Sequence, residues 1–372
     1  MPTVDQTTVM PAERTALGEP SVPGELARPL SRGVRRAAVG ALTRTGLANL
    51  CRPLTHGNAV IFMLHRLADP DRGVPGFEPD LLRTLLAFLR RKRYQVIDLH
   101  QALERLRGDG PPLRRAVVFT MDDGYVEQAN IAGPVFAEFD CPVTTFLATG
   151  FLDGATWFWW DQIDYVFAKT RRRDVAVEIH GARHRYLLED AHQAQSAQVR
   201  FTARCKEIPD TARETAVRSL AAAAEVDLPS RAPARYAPMS WDQVRSAERR
   251  GMTFGPHTVT HPVLSRTDDL QSRFEIDHSW TRLKTEARSP VPVFAYPNGR
   301  SSDFGAREIE TLREIGLESA CTCIPAYATP RRFRLPNGSF NIPRFAPPDS
   351  IPYLIQFVSG LERLKLLLRG LD

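Results

Sequence analysis

The sequence lacks any apolar run of the roughly eighteen residues that a membrane-spanning helix requires. Residues 1–50 also lack the short apolar block that follows a charged start in secretory signals, so we expect a cytoplasmic protein. The five cysteines, an odd number, show no C-x-x-C pair of the zinc-ribbon kind. Cys321 and Cys323 are too close for an ordinary structural disulfide, and we therefore expect free thiols in a reducing compartment.

A strong excess of one charge is also absent. Lys and Arg total 49 against 43 Asp and Glu, so the formal net charge is only +6 and nucleic acid is not an expected partner. Hydrophobic residues at 43% and charged residues at 25% are ordinary for a packed soluble protein, which excludes collagen-like, coiled-coil and wholly disordered chains. The 372 residues can form one large α/β domain or two smaller ones.

From Asn58 onward, the chain alternates strand and helix patterns. Residues 59–64 form a continuous apolar run, typical of a strand buried on both faces, and residues 81–93 have the spacing of an amphipathic helix. Such alternation predicts a parallel sheet or barrel. Further strands are predicted at 94–99, 116–120, 142–148, 253–255, 291–295 and 319–322, and further helices at 241–250, 268–286 and 302–316.

Three stretches depart from this alternation. Residues 1–50 are predicted to be a leader with an amphipathic second half, which either docks on the protein or contacts a membrane surface peripherally. Residues 154–237 are predicted to be a mainly helical insertion with one strand at 175–179. Residues 351–372 are predicted to form a C-terminal amphipathic helix, which leaves the barrel itself at residues 51–350.

The insertion holds two features that bear on a functional site. Residues 157–160, three Trp and one Phe, either pack in the core or form a wall on which a sugar stacks. His180 and His184 have the spacing of a metal-binding pair, but Gly181 and the flanking arginines predict a solvated turn. We assign this pair no role.

Two adjacent carboxylates, Asp122 and Asp123, follow the predicted strand 116–120 and precede Gly124. Enzymes built on barrels and open parallel sheets place catalytic groups at such strand ends. Neighbouring residues of an extended segment point in opposite directions, so one Asp can ligate a metal while the other faces a water molecule. An Asp-Asp-Gly sequence is also common in ordinary turns, and the pair alone does not decide between these interpretations.

His257 and His261 lie four residues apart, a spacing that lets both imidazoles reach one ion from a single helical turn. With one Asp they would form a half-open metal site. Nitrogen and oxygen ligands without thiolate favour Zn²⁺ first, with Co²⁺, Ni²⁺ or Fe²⁺ as alternatives.

At these residues the sequence resembles the polysaccharide deacetylase family, carbohydrate esterase family 4. Three stretches in order, 120–152, 239–265 and 291–300, resemble its first three motif regions and contain TMDDGY, GPHTVTH and FAYPNG. The opening Met63-Leu64-His65-Arg66 is similar to the Tyr-His-Arg start of one bacterial branch. The resemblance extends over about residues 58–153 and 237–346.

The resemblance implies a distorted (β/α)7-type barrel and metal-dependent removal of acetyl from an N-acetylated sugar. It implies Asp122 as the catalytic base and Asp123, His257 and His261 as metal ligands. Such chemistry is coherent, because a metal beside a carboxylate polarises an amide carbonyl and activates the attacking water. Three residues of the first and third motifs are expected to contact substrate or complete the oxyanion site, the latter through a backbone N–H near the third of them: Tyr125, Tyr296 and Asn298.

Two departures from the family pattern are visible. Ala295 stands where the third motif usually carries an Arg that orients the base, and we expect Arg344 to replace it unless that residue makes only a structural or surface ion pair. No His follows His278, although many relatives place their general acid on a late His. His65, after the first strand, is the predicted acid, with a structural or substrate-contacting role as the alternative; His278 is expected to pack or lie at the surface.

We therefore expect a metal-dependent deacetylase acting on an amino-sugar-containing glycan, glycolipid or glycoside. A hydrolase of non-sugar amides on the same scaffold is one alternative. A non-catalytic glycan-binding module that keeps the metal is another, favoured by the two departures. The oligomeric state, the sugar and the linkage are left open by the sequence.

Overall fold

A computed structural model describes residues 39–370 of the chain. The predicted leader therefore lies largely outside the described residues. Its described end comprises helical residues 39–44 and a 3₁₀ helix, Leu47–Thr55. Within residues 39–370, no helix is both long enough and apolar enough to cross a membrane.

Parallel strands form the centre of the protein. Strands β1, β3, β4 and β7 are hydrogen-bonded in that order, and β2 pairs with the first residues of β3. The bounds of the strands are β1 Ala59–Leu64, β2 Gln95–Val96, β3 Ala116–Met121, β4 Val143–Leu147, β5 Asp174–Ile179, β6 Ala182–Leu187, β7 Met252–Pro256, β8 Val293–Ala295 and β9 Ser319–Cys321.

The parallel sheet closes on itself through a few hydrogen bonds. The N–H of Val291, just before β8, donates to the carbonyl of Phe254 at 2.8 Å, and β8 pairs in parallel with β9. Residues 342–345 then bridge β9 to β1, through Cys321 with Ile342 and Phe62 with Phe345. The ring consists of β1, β3, β4, β7, β8, β9 and residues 342–345, with β2 paired to β3 outside this path. These seven positions confirm the predicted distorted (β/α)7-type barrel.

Helices cover the barrel and fill its connections. Their bounds are α1 Pro79–Arg91, α2 Leu99–Arg107, α3 Gly133–Glu138, α4 Thr149–Leu152, α5 Trp159–Lys169, α6 Ala191–Cys205, α7 Asp210–Ala223, α8 Trp241–Glu248, α9 Asp269–Glu286, α10 Ala306–Glu314, α11 Pro330–Phe333, α12 Ile351–Val358 and α13 Leu361–Leu368. A π-helical turn, Gln128–Ala132, precedes α3. The strand predicted at 94–99 shrinks to β2 because Asp98 caps α2, accepting hydrogen bonds from the N–H groups of His100 and Gln101.

Strands β1 and β3 are buried along their whole length, as their continuous apolar sequences predict. Alternate residues separate into two clusters: Ile61 and Val118 belong to one, and Phe62 and Phe119 to the other. This division follows from the two-residue period of a strand, whose side chains point alternately to opposite faces.

The insertion forms a layer with a hydrophobic cluster of its own, built from α5, α6, α7 and a β5–β6 hairpin. The predicted solvated turn around His180 and His184 is wrong in extent. Only His180 and Gly181 form the turn, both with positive φ, and His184 lies on β6 opposite Val177. This two-residue turn with left-handed residues matches the twist of an antiparallel pair.

In place of the single C-terminal helix predicted at 351–372, the described residues form two short helices, α12 and α13, separated by Gly360 with φ 86°. A Cβ atom at Gly360 would lie 2.5 Å from the carbonyl oxygen of Cys51, so only glycine allows this approach between α13 and the 3₁₀ helix Leu47–Thr55.

Candidate active site

The two adjacent carboxylates lie at the carboxyl end of β3, inside the protein. Asp122 and Asp123 are both buried, with 2% and 4% of their surfaces exposed. Asp123 has φ 86°, a left-handed conformation that is costly for a residue other than glycine. The chain turns sharply here, and the two side chains enter different surroundings.

Asp122 faces a buried arginine that comes from the far end of the barrel sequence. Arg344 Nη1 lies 2.7 Å from Asp122 Oδ1, and Arg344 Nη2 lies 2.8 Å from Asp122 Oδ2. The remaining donors are also used, since Arg344 Nε donates to the carbonyl of Thr322 and Nη1 to the hydroxyl of Thr120. A two-pronged pair of this kind fixes the orientation of the carboxylate as well as its charge.

The electrostatics of Asp122 follow from this pairing. Burial alone would raise the pKa of the carboxyl group, but the charge and hydrogen bonds of Arg344, with a contribution from His257, hold the pKa below its ordinary value. The carboxylate form of Asp122 is therefore the stable one at neutral pH.

Asp123 faces two imidazoles instead. Its Oδ1 lies 3.5 Å from His261 Nε2 and 3.7 Å from His257 Nε2, and all three groups are buried. Nitrogen and oxygen ligands about 2.0–2.2 Å from one tetrahedral ion lie roughly 3.4 Å apart. The two distances from Asp123 Oδ1 are close to this value and all three atoms lie within 4.8 Å of one another, so the group can share a small divalent cation.

The protonation of His257 also suits a ligand. Its Nδ1 lies 2.6 Å from the carbonyl oxygen of Ala295, which can only accept, so Nδ1 carries the hydrogen and Nε2 has a free lone pair. Burial lowers the pKa of His257 to about 4, which keeps the ring neutral. Burial and the neighbouring Asp122 raise the pKa of Asp123 well above its ordinary value, and a cation at this point would compensate both effects. The three residues fit a metal ion.

The two histidines do not share a helical turn, and this part of the prediction is wrong. They belong to the loop after β7, in which Thr258 and His261 have φ of 66° and 60°. The hydroxyl of Thr258 accepts the N–H of His261 at 3.0 Å, which closes the loop locally. Both rings reach Asp123 because the loop folds back on itself. Two histidines four residues apart on a helix would reach one ion without such a fold.

A buried glutamate from α9 holds this histidine loop. Glu275 accepts hydrogen bonds from the N–H groups of Val259 and Thr260 at 2.7 and 2.8 Å, and from the Thr260 hydroxyl at 2.6 Å. It is completely buried. Burial raises the pKa of Glu275, although its hydrogen bonds partly oppose the rise.

His65 follows β1 and lies on the Asp122 side of the site. Its Nε2 is 4.0 Å from Asp122 Oδ2, and 47% of its side chain is exposed. Gln128, from the π-helical turn, donates to the carbonyl of His65 at 2.7 Å and accepts the N–H of Gly124 at 3.2 Å. The loops after β1 and β3 are thereby tied together. His65 is the exposed polar group beside the buried Asp122.

The three residues predicted to contact substrate or an oxyanion have different surroundings. Tyr125 is buried, with its hydroxyl 2.7 Å from Asp161 Oδ2, and Tyr296 is buried with its ring stacked on Phe304 at 3.8 Å. Asn298 forms a turn with φ 59°, and its buried Nδ2 has no partner among the described residues. Their predicted contacts with substrate stay predictions.

The aromatic cluster divides between the two interpretations that the sequence left open. Trp157, Phe158 and Trp159 are buried and pack in the core. Trp160 is partly exposed; its ring centroid lies 4.6 Å from that of His261, and its Nε1 donates to the Tyr125 hydroxyl at 3.1 Å. Phe158 also lies against His261, at 5.5 Å between ring centroids, so a buried and a partly exposed ring of the cluster both border the candidate metal ligands.

Comparison with known proteins bears directly on this site. A family model described as polysaccharide deacetylase matches residues 109–223 and 229–320, which together span more than half of the chain. The chain belongs to the polysaccharide deacetylase family. No curated protein matches it significantly.

Solved structures show the same fold at low sequence identity. The deacetylase PplD of Streptococcus pyogenes, solved in complex with acetate, is 16% identical, with a TM-score of 0.52 over 81% of this chain and 98% of that one. IcaB from Ammonifex degensii is 15% identical, with a TM-score of 0.50 over 82% of this chain and 97% of the other. These similarities support the distorted barrel that the family implies.

The sequence analysis missed two residues that support this site. Glu275 occupies the buried stripe of α9 together with Ile276 and Leu283. A charged residue at a core-facing helical position is the signal that identifies it. Gln128 gives no comparable signal, because the residues that it joins are recognisable only once the strand order is known.

Proposed function

We propose that this protein is a metal-dependent hydrolase that removes the N-acetyl group from an amino sugar in a glycan, glycolipid or glycoside. The observation that carries the proposal is the division of labour between adjacent carboxylates. Asp122 is paired with Arg344, whereas Asp123 faces His257 and His261. One carboxylate is thereby kept free of the cation that the other would bind.

The cation-binding residues of the proposed enzyme are Asp123, His257 and His261. Their donor set favours Zn²⁺, and Co²⁺, Ni²⁺ or Fe²⁺ can replace it with these ligands. Bound there, a divalent ion supplies Lewis acidity toward the acetamide carbonyl and toward water.

In the proposed reaction Asp122 is the base. Its depressed pKa keeps it ionised, and it accepts a proton from water as the water oxygen bonds to the acetamide carbon. Arg344 holds both carboxylate oxygens in place, so the base does not rotate between turnovers. The carbon–nitrogen bond then breaks, and acetate and the sugar amine leave.

The leaving nitrogen needs a proton, and we propose that His65 donates it. This ring lies beside Asp122 and is open to solvent, so it can be reprotonated between turnovers. The backbone N–H groups of Tyr125 and Asn298, for which no hydrogen bond to a described residue is found, are the proposed donors to the developing oxyanion.

The sugar specificity is the finer part of the proposal. Acetate, which is bound in the Streptococcus pyogenes deacetylase structure, is the product expected here. Trp160 provides a partly exposed indole next to His261, where a pyranose ring can stack.

The decisive experiment is the Asp122→Asn variant, assayed for acetate release from N-acetylhexosamine conjugates. We expect turnover to be lost while metal content, measured by mass spectrometry of the purified protein, stays at the wild-type level. Asp109→Asn, an exposed carboxylate beyond α2, is the matched control. Unchanged acetate release from Asp122→Asn refutes the assignment.

Two other functions suggested by the sequence are tested by the same assay. A hydrolase of non-sugar amides would release acid from small amides but not from acetylated sugars. A non-catalytic binding module would bind glycan and metal without releasing acetate. Its support in the sequence is Ala295 in the position of the family's Arg and the absence of a late His, and the pairing of Arg344 with Asp122 weakens the first of these.

We also keep the cytoplasmic location as a proposal. It is supported by the five cysteines, all of which are free thiols, including the buried Cys205 and Cys321. Fractionation of producing cells, with activity measured in each fraction, tests it.

A further inference from the structure

Two neighbouring segments near the start of β1 expose leucine side chains. These are the 3₁₀ helix Leu47–Thr55 and helix α13, which contact each other through Arg363, a donor to the carbonyl of Leu54. Leu50 is 77% exposed and Leu368 is 80% exposed. The exposed leucines of the two segments, called the leucine patch below, are Leu47, Leu50, Leu364, Leu367 and Leu368.

The spacing of these leucines places them on defined faces of their segments. Leu364, Leu367 and Leu368 lie at positions i, i+3 and i+4 of α13, so they share one face, while Leu366 is buried. Leu47 and Leu50 lie three residues apart, which brings side chains of a 3₁₀ helix into line. Exposed leucines that share a face favour a binding surface, whereas leucines scattered singly over a surface do not.

A strongly basic surface lies at the same end of the barrel. Residues 90–93 have the sequence Arg-Arg-Lys-Arg and lead into β2, and residues 114–115 are both Arg and lead into β3. In the sheet register, Ala116 of β3 is opposite both Ala59 of β1 and Gln95 of β2, so the three strands begin at one level. We call residues 90–93 and 114–115 the basic loops.

Most of this charge is not neutralised by the protein. Among the described residues, no carboxylate lies within ion-pair distance of Arg91, Lys92, Arg93 or Arg114, all of which are exposed. Acidic groups do occur nearby: Asp140 is 3.6 Å from Arg90 and Glu104 is 3.6 Å from His100, and Asp109 is exposed. The basic side chains still outnumber them.

We propose that the leucine patch and the basic loops together dock the protein on an anionic lipid surface. Leucines enter the boundary between headgroups and acyl chains, while Lys and Arg side chains remain with the headgroups. Each basic side chain near such a surface contributes about 1 kcal/mol of attraction, and this attraction is screened by salt. An anionic lipid surface is the proposed partner because it offers both an apolar layer for the leucines and negative charge for the basic loops.

Charge argues against two other occupants of this surface, a second copy of the chain and residues 1–38. A symmetric dimer through this face would bring the basic loops of two copies together, because the same surface meets itself in a two-fold interface. Residues 1–38 contain five Arg against four Asp and Glu, so they offer no net negative charge to the basic loops.

Docking in this way orients the site. Asp122 and the histidine loop follow the carboxyl ends of β3 and β7, whereas the basic loops precede the start of β2 and β3. A six-residue strand such as β3 is about 20 Å long. The bound protein therefore presents its site away from the lipid. The proposal does not depend on the assigned reaction.

Co-sedimentation of the full chain with lipid vesicles tests the proposal. We expect binding to vesicles of 30 mol% phosphatidylglycerol in phosphatidylcholine, and little binding to pure phosphatidylcholine. The double variant Lys92→Gln/Arg93→Gln should bind about thirtyfold more weakly, since two charges near an anionic surface are removed. Arg171→Gln/Arg173→Gln, exposed arginines of the insertion, is the matched control and should bind as wild type.

The contribution of the leucine patch is tested with the double variant Leu364→Ser/Leu367→Ser. Leu270→Ser is the control, because Leu270 lies on α9 and is 84% exposed. Only the first should lose binding, and thermal unfolding of each variant shows that the fold is kept. Sedimentation of the protein alone gives the oligomeric state. Failure of the wild type to bind phosphatidylglycerol vesicles overturns the proposal, as does dissociation of a wild-type dimer by the leucine variant.

Discussion

Arg344 and Asp122 are 222 residues apart in sequence, yet the guanidinium of one meets both carboxylate oxygens of the other at 2.7 and 2.8 Å in the interior of the barrel. This pairing is the one expected if Arg344 replaces the Arg that the family usually carries in the third motif, at the position of Ala295. The small Ala295 in turn offers its carbonyl to His257 Nδ1. Alanine at this position of the third motif is thus compatible both with the Asp122–Arg344 pair and with the group formed by Asp123 and the two histidines.

Replacing Arg344 by Gln should destabilise the protein and impair the base. Removal of one partner from a buried ion pair costs about 3–5 kcal/mol, because the other charge stays buried and unpaired. Chemical unfolding of Arg344→Gln measures this loss, and Arg334→Gln, an exposed residue, is the control. An unfolding free energy equal to that of wild type would contradict a tight buried pair.

The pH dependence of the same variant gives an independent test. In the wild type the pKa of Asp122 is depressed, so the stability that the pair contributes is present above the ordinary Asp pKa and is lost as pH falls through the folded pKa. Without Arg344, burial raises the pKa of Asp122. We therefore expect the acidic limb of the kcat/KM profile to move to higher pH in Arg344→Lys and further in Arg344→Gln; an unmoved limb argues against Asp122 as the base.

Removal of metal should weaken the fold as well as stop turnover. At a free metal concentration about 100 times Kd, binding to the folded state alone adds about 2.7 kcal/mol to the unfolding free energy. We expect dialysis against a chelator to lower Tm, and Zn²⁺ or Co²⁺ to restore it. His261→Asn should abolish this response, whereas His278→Asn, exposed on α9, should retain it. An identical response of the two variants would remove His261 from the ligand set.

The parts of the fold that the sequence predicts well are those whose own residues determine them. Residues 59–64 are apolar throughout and form β1, buried on both faces. Strand β6 escaped prediction because only Tyr186 of its residues is buried, so its polar sequence has the composition of a solvated turn. The pairing partner β5, not the composition of β6, makes it a strand.

The site divides in the same way. Asp122, Asp123, His257 and His261 are recognisable from short motifs, whereas the conformation of the histidine loop is not. That loop is shaped by Glu275, which lies 14 or more residues away on another element and binds N–H groups that a helix would have used internally. Contacts of this kind between distant segments leave no local pattern in the amino-acid sequence.

Glu275 should therefore control metal affinity without touching the metal. In Glu275→Gln an amide group replaces one carboxylate oxygen, so the side chain can no longer accept from all three donors of Val259 and Thr260. Loss of such a supporting group typically weakens metal binding about 10–100-fold. Competition with a chromophoric chelator measures the affinity, and Asp277→Asn on the same helix is the control. The expected result is weaker binding with kcat near wild type at saturating metal; unchanged affinity would reduce Glu275 to a packing residue.

His65→Gln separates proton donation from substrate positioning. If His65 protonates the leaving amine, its loss should lower kcat about 10²–10⁴-fold on an acetylated amino sugar. An aryl acetate, whose phenolate leaves without a proton, should be hydrolysed at nearly the wild-type rate by the same variant. Parallel assays of both substrates, with His278→Gln as the control, measure the difference. Equal losses on amide and ester would instead assign His65 to orienting Asp122, 4.0 Å away, since the base serves both reactions.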